Sequence, residues 1–600
     1  MLYMKKFAIL FSFSLLTASC GGSESGDSPS PTPVVSGGNE VVVKTITKSN
    51  LSLNILTDKA CYKPGETVSF TAEGTIPSGA LVRYRKGSEV VVSSSLAGNT
   101  WTWTAPAQDF CGYMVDVYTA SGDDETIYGT VAVDVSSDWK QYPRYGFVAS
   151  FDHSKTQAVI NQEMAFLNRC HINGIQFYDW HNKHHWPLGG TRNQLLDSYT
   201  DIANREIVTD VVKRYITTQH QYGMKAMFYN LCYGALADGP SEGVAEEWYM
   251  YKQTGHTDKD VLPLSNAWKS NIYLLNPENS DWQKYLAERN DDVYANFDFD
   301  GFHIDQVGNR GTVYDYSGNK VNLPKGFASF INAMKAAHPQ KRLVMNAVAN
   351  YGASQIAQTG NVDFLYNEMW DGESLFSDLL TAKNANSVYS NQQLQTIFAA
   401  YMNYSKSSAS GTFNTPGVLL TDAVMFAIGA AHLELGDGHM LCHEYFPNSN
   451  LKMNQELQTA IVRYYDFLVA YETLLRGHGT ENAFDITSGS ATVAINAWPP
   501  QLKKVTAYCK NVNGKQVVHL LNFRQANSLS WRDMDGSMPA PSTVSALPLT
   551  FKSASKVNKI WVATPDALGG APQELSFKQQ DGVVTFTLPS LRYWTMIVIE

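Results

Sequence analysis

Between residues 144 and 436 short apolar runs alternate with longer amphipathic ones, and this alternation limits the fold more than any other feature of the chain. Eight runs read as strands: RYGFVASF (144–151), INGIQFYDW (172–180), MKAMFYN (224–230), DGFHIDQ (300–306), RLVMNAV (342–348), VDFLYNE (362–368), FAAYMNY (398–404) and HLELG (432–436). Helical stretches such as QAVINQEMAFLNRC and GFASFINAMKAAH separate them. Strands joined through helices run parallel, and eight such repeats predict a (β/α)8 TIM barrel over residues 138–490 with enlarged loops.

The barrel is expected to be flanked. Short alternating runs bounded by Gly, Pro and Asp (TVSFTAEG, WTWTAP, GYMVDVYTA, YGTVAVDV) predict an N-terminal immunoglobulin-like β-sandwich over 40–137. Strands return from 491 to 600 (KVTAYCKN, KQVVHLLNF, KIWVAT, VVTFTLP, WTMIVIE), predicting a C-terminal antiparallel β-sandwich. Residues 21–39 are rich in Gly, Ser and Pro and read as a disordered linker. In residues 1–20, Lys5 and Lys6 precede an apolar run and then Thr17-Ala18-Ser19-Cys20. That pattern reads as an export signal resembling the bacterial lipoprotein type, with Cys20 as the lipidation site. The expected location is the cell envelope, at the outer membrane, with the membrane met only through this anchor.

Charge and cysteines exclude other classes. The net charge is −10, with no Lys/Arg-rich run after the first residues, which argues against nucleic acid as a partner. Six cysteines besides Cys20 are scattered with no CxxC pair, so neither a zinc site nor a disulfide scaffold is indicated. Cys61 and Cys111 share one small β region, where both a disulfide and two separate thiols are compatible with the sequence.

In a TIM barrel the reacting groups sit at the C-terminal strand ends. Here those ends carry Tyr178, Asp179 and His181; Asn230; Asp305 and Gln306; Asn346; Glu368 and Trp370; and Glu434. Such a rim offers hydrogen bonds to hydroxyls and rings for stacking on sugars, and it includes no Gly-rich phosphate loop. Two carboxylates stand out. In GFHID the period-2 alternation separates His303 and Asp305 from Phe302 and Ile304, which aims Asp305 into the mouth. The same parity in FLYNE aims Glu368 inward above Tyr366. An acid pair across a cleft is what glycosidic cleavage needs, one group protonating the leaving oxygen and the other attacking the anomeric carbon. The alternatives for such a pair are a metal site or a salt bridge; this chemistry requires no metal or cofactor, and none is expected.

At these residues the sequence resembles glycoside hydrolase family 66, the family of endo-dextranases and cycloisomaltooligosaccharide glucanotransferases. GFHIDQVGNRG and FLYNEMWDG look like its two catalytic motifs, and the similarity continues through QFYDWHNKHHWPL, MKAMFYNLCYGA, GVLLTDAVMFAIGAAHLELGDG and PSLRYWTMIVIE. The resemblance implies a nucleophile at Asp305 and an acid/base at Glu368. It also implies sugar contacts from Tyr178, Asp179 and His181, with help from Asn230 and Glu434. Gln306, Asn346 and Trp370 complete the expected substrate-binding set. The activity it implies is retaining, endo-acting cleavage of α-1,6-glucosidic linkages in dextran to isomaltooligosaccharides, with polysaccharide as the partner. Two other readings stand beside it. One is a cyclising transglycosylase, against which the segment 235–270 is too short to hold an inserted carbohydrate-binding module. The other is a non-catalytic surface glycan-binding lipoprotein, against which both carboxylates are present.

Overall fold

A computed structural model describes residues 38–370 and 372–600. The expected export signal, Cys20 and the linker up to residue 37 lie outside the described residues. Among the described residues, no helix is long and apolar enough to cross a membrane.

The centre is an eight-stranded parallel sheet whose spatial order follows the chain: β1 (Tyr145–Val148), β2 (Gly174–Phe177), β3 (Lys225–Leu231), β4 (Gly301–Asp305), β5 (Arg342–Val348), β6 (Leu365–Glu368), β7 (Thr396–Ala399) and β8 (Ala431–Leu433). A backbone hydrogen bond from Phe147 N to Leu435 O brings the last strand back to the first, so the ring is nearly closed. Each strand is followed by a helix: α1 (Gln157–Arg169), α2 (Thr209–Gln221), α3 (Ser280–Asn296), α4 (Leu323–Ala337), α5 (Ala353–Gln358), α6 (Phe376–Tyr389), α7 (Thr415–Ala427) and α8 (Gln455–Ala470). Several start where side chains satisfy the free N–H groups of the first turn. Asn279 caps α3, Asn322 caps α4 and Asn454 caps α8.

Strand alternation decides what faces the barrel axis. On β3 and β4 the outward residues Phe228 and Phe302 stack at 4.7 Å, and Phe228 meets Tyr294 of α3. Tyr145, His303 and Tyr366 therefore meet inside, with ring centroids 4.9–6.3 Å apart. Most of the strands are shorter than the runs read from the sequence. The seventh strand is Thr396–Ala399, not 398–404; the chain leaves the sheet after Ala399 and takes a left-handed φ of 54° at Asn403.

The flanking segments are sheets. Residues 46–135 form a five-stranded and a three-stranded sheet, and the C-terminal segment a seven-stranded and a five-stranded one. The first described strand, Asn39–Val41, pairs antiparallel with Phe577–Gln579, so the start of the described chain is built into the last sheet rather than the first. Cys61 and Cys111 are both free thiols. A buried ion pair, Arg144 to Asp134 at 2.6 Å, fastens the barrel to the N-terminal sheets; another, Arg169 to Asp466 at 2.8 Å, joins α1 to α8, and Asp466 also accepts from Ala132 N of those sheets.

Candidate active site

A cavity of about 520 Å³ opens at the C-terminal ends of the barrel strands. Its floor is the aromatic layer of His303 and Tyr366, and its walls include Asp305, Asn346, Glu368 and Trp370. Alternation on β4 and β6 carries Asp305 and Glu368 there, each one position beyond the last outward residue of its strand.

One side chain joins the two acids. Asn346 Nδ2 donates to Asp305 Oδ1 at 2.8 Å and to Glu368 Oε2 at 2.9 Å. Those two oxygens are thus no farther apart than the sum of the two bonds. Tyr229 donates its hydroxyl to the other oxygen of Asp305 at 2.7 Å, and Tyr401 donates to Glu368 Oε1. Among the described residues, no Lys or Arg forms a salt bridge to either carboxylate. Burial, then the charge of Asp305, pushes Glu368 up to about 7, against the pull of hydrogen bonds from Tyr401, Asn346 and Trp370. Burial also raises Asp305, which hydrogen bonds from Tyr229, Asn346 and the Gln306 backbone oppose. Glu368 is thus able to hold a proton near neutrality, as an acid must. Beneath them His303 is pushed down to about 3 by burial and is neutral.

Asp179 reaches the same cavity by a different route. On β2 the outward parity is set by Phe177, which packs against Phe299 at 5.0 Å, so Asp179 ought to face the helices. Its φ of 46° breaks the alternation and turns it back to the mouth. Burial and the nearby charges of Asp201 and Asp305 push it up to about 8 against Arg205, and its Oδ1 is buried without a hydrogen-bond partner. Tyr178 stacks on Phe446 at 4.4 Å and donates to the Glu444 carbonyl. Gln306 lies in the wall, its amide directed at the carbonyls of Asn346 and Tyr351.

Three residues expected at the sugar site lie elsewhere. Asn230 shares the outward parity of Phe228; its Oδ1 accepts from His184 Nδ1 and its Nδ2 donates to the His184 carbonyl. His181 is fully buried behind His184, with ring nitrogens 3.0 Å apart, and of the two it is His184 that lines the cavity. Burial pushes His184 down to about 4, and its Nε2 has no partner. Glu434 is also wholly buried on the helix side, where Tyr465 of α8 donates to it and His432 lies between it and Asp422 of α7.

Tyr229, Tyr401 and His184 are not among the site residues expected from sequence. For Tyr229 the signal was present, since parity opposite Phe228 marks it as inward. Tyr401 lies beyond the end of β7 and His184 in a loop, so no periodicity reaches them.

The family profile of glycosyl hydrolase family 66 matches residues 57–598. A cycloisomaltooligosaccharide glucanotransferase of Niallia circulans is 27% identical, over 91% of this chain and 72% of the relative. A dextranase of Streptococcus salivarius is 23% identical, over 86% of this chain and 70% of the relative. A crystal structure of a Paenibacillus cycloisomaltooligosaccharide glucanotransferase complexed with cycloisomaltoheptaose superposes with a TM-score of 0.83 at 26% identity, covering 92% of this chain and all of that one. An acid pair at the mouth of an eight-stranded parallel barrel thus meets a profile spanning nearly the whole chain, and the protein belongs to glycosyl hydrolase family 66.

Proposed function

We propose that the protein is a retaining hydrolase of α-1,6-linked glucan that releases isomaltooligosaccharides, with Asp305 as nucleophile and Glu368 as acid/base. The observation that carries this reading is the Asn346 amide held between the two carboxylates. A bridge that short fits the ~5–5.5 Å carboxyl separation of retaining enzymes and leaves no room for the ~6.5–9.5 Å of inverting ones. The substrate follows from the relatives, a dextranase and glucanotransferases acting with isomaltooligosaccharides, and from the hydroxyl-binding groups of the wall.

Asp305 attacks the anomeric carbon as Glu368 passes its proton to the departing glycosidic oxygen, leaving a glucosyl ester on Asp305. Glu368, now a carboxylate, takes a proton from water, which attacks the anomeric carbon and displaces the Asp305 carboxylate; two inversions return the α configuration. Tyr229 and Asn346 hold the nucleophile in one orientation, and Tyr401 does the same for the acid. Asp179, protonated near neutrality, lines the cavity and offers a donor to sugar hydroxyls. The cavity exceeds a single glucosyl unit, so the cut falls inside the chain rather than at its last residue.

The test is to incubate residues 21–600 with dextran, pullulan and starch, following new reducing ends and their configuration by NMR. Dextran should be cleaved fastest with α products appearing first; faster starch cleavage overturns the substrate, and β products overturn the mechanism. The glucanotransferase relatives favour one second reading, transfer of the glucosyl unit to the chain's own end, which cyclic products in major yield would support. We also propose that Cys20 carries lipid; Cys20→Ser should then move the protein from membranes to the soluble fraction.

A further inference from the structure

Between the two C-terminal sheets the chain makes a detour. Strand Lys515–Asn522 belongs to the seven-stranded sheet and strand Val544–Lys552 to the five-stranded one, and the residues joining them reach the barrel mouth. There the segment 529–533 lies between the loops after β6 and β7. Leu529 O accepts from Phe376 N, Ser530 pairs with Leu375 in an antiparallel bridge, and Trp531 N donates to Ser374 O. The buried Trp531 indole donates to the Glu373 carbonyl at 2.6 Å, and Thr421 of α7 donates its hydroxyl to Trp531 O at 2.7 Å. Toward β7, Arg532 O accepts from Asn403 N, and Asn403 Nδ2 donates to Asp533 O.

Arg532 is the centre of this contact. Its side chain is buried, and its Nη2 donates at 2.8 Å to the carbonyl of Met369, the residue after Glu368. Its guanidinium carbon is 5.6 Å from the ring centres of Trp370 and of Tyr404, and 4.7 Å from that of Trp531. Trp370 donates to Glu368, and Tyr404 donates to Glu444 of the cavity wall. Tyr401, another donor to Glu368, precedes Asn403 by two residues. We propose that Arg532 is a positioning residue for the acid/base, holding Trp370 and the backbone beside Glu368 so that the C-terminal region sets how the proton is presented. This rests on the acid/base reading of Glu368 above and adds what keeps that acid aligned. A planar guanidinium can donate along its edge while its faces lie against rings, which an ammonium cannot do.

Arg532→Met removes the planar cation and keeps much of its volume. It should lower kcat on dextran by about 10–100-fold, but by less than about threefold on an aryl α-glucoside whose leaving group needs little protonation. The descending limb of kcat/KM against pH should move upward, because Trp370 and Tyr401 favour the Glu368 anion and would be held less well. Arg532→Lys keeps the charge and should show both changes in the same direction. Trp531→Phe loses only the N–H to Glu373 O and is the milder probe should Arg532→Met not fold; it should lower kcat on dextran by at least about threefold and move the limb the same way. Equal losses on the two substrates in a folded variant overturn the positioning role, since that is what general loosening produces. A wild-type profile in Arg532→Lys also overturns it, because charge alone would then suffice. So does an unmoved limb in Arg532→Met, or in Trp531→Phe where Arg532→Met does not fold. If Glu368→Gln itself loses activity equally on both substrates, the acid reading beneath the proposal fails instead.

Discussion

One carboxylate, Asp300, immediately precedes strand β4 and another, Asp305, ends it, and the two ends of the barrel treat them in opposite ways. At the lower end Asp300 accepts from His220 at 2.8 Å and from Lys225 at 3.1 Å. Burial alone would raise it, yet these partners hold it below the usual carboxylate range. At the upper end Asp305 is buried among neutral donors and is raised. Asp466 and Glu368 repeat the contrast. Burial acts on both; Arg169 and His171 overcome it at Asp466, whereas among the described residues no cation does so at Glu368. Burial therefore does not make a carboxylate catalytic by itself. A paired carboxylate fastens the fold, and an unpaired one keeps free energy in its charged state that chemistry can use.

The sharpest test of this contrast exchanges one carboxylate for an amide at each end. Asp305→Asn should lower kcat/KM on dextran by roughly 10⁴-fold or more, with no loss of melting temperature, since no cation is orphaned. Asp466→Asn should leave a buried guanidinium unpaired and cost about 3–5 kcal/mol in denaturant unfolding, with kcat little changed in the protein that remains folded. If Asp305→Asn also unfolds the protein, the contrast fails.

Glu368→Gln should lower kcat on dextran by about 10²–10⁴-fold and spare an aryl glycoside with a good leaving group, which needs little protonation. An equal loss on both substrates would remove Glu368 from the acid role.

The third test uses pH. The acid must be protonated, so kcat/KM should fall as pH rises through about 7. Tyr401→Phe removes a hydrogen bond that favours the Glu368 anion and should move this limb upward. Stability carries the same sign. Because Glu368 is raised in the fold, its contribution is present below about 4.5 and is lost as pH climbs through about 7. Asp466, being lowered, contributes in the opposite sense, losing its stabilisation only in acid. Matched thermal melts at pH 4.5 and 8 of wild type and Glu368→Gln check this; the variant should gain on wild type only at the higher pH.

The smallest effects are expected where sequence placed a sugar ligand and the fold did not. His181→Gln should change kcat/KM by less than about tenfold, because His184 stands between it and the cavity. Glu434→Gln should act on stability by about 1–3 kcal/mol rather than on KM, since it removes half the counter-charge of His432. A large rise in KM for either would return that residue to the substrate.

The barrel and the catalytic pair were legible because both depend on local rules. Runs of apolar residues separated by helices permit only a parallel sheet, and period-2 alternation aims Asp305 and Glu368 without knowledge of any neighbour. Asn230 and Glu434 show where a simpler rule, polar at a strand end, misleads: parity with Phe228 and His432 sends both toward the helices. Asp179 shows the reverse, because a single left-handed residue overrides parity. What only the tertiary structure decided is which groups meet across distant segments. It set Asn346 between two strands' acids, Tyr401 against Glu368, His184 in front of His181, and Arg532 behind Trp370. Periodicity fixes the direction of a side chain on its own strand. Distance between side chains on different strands and loops depends on register, loop path and packing, and a linear sequence carries no measure of these.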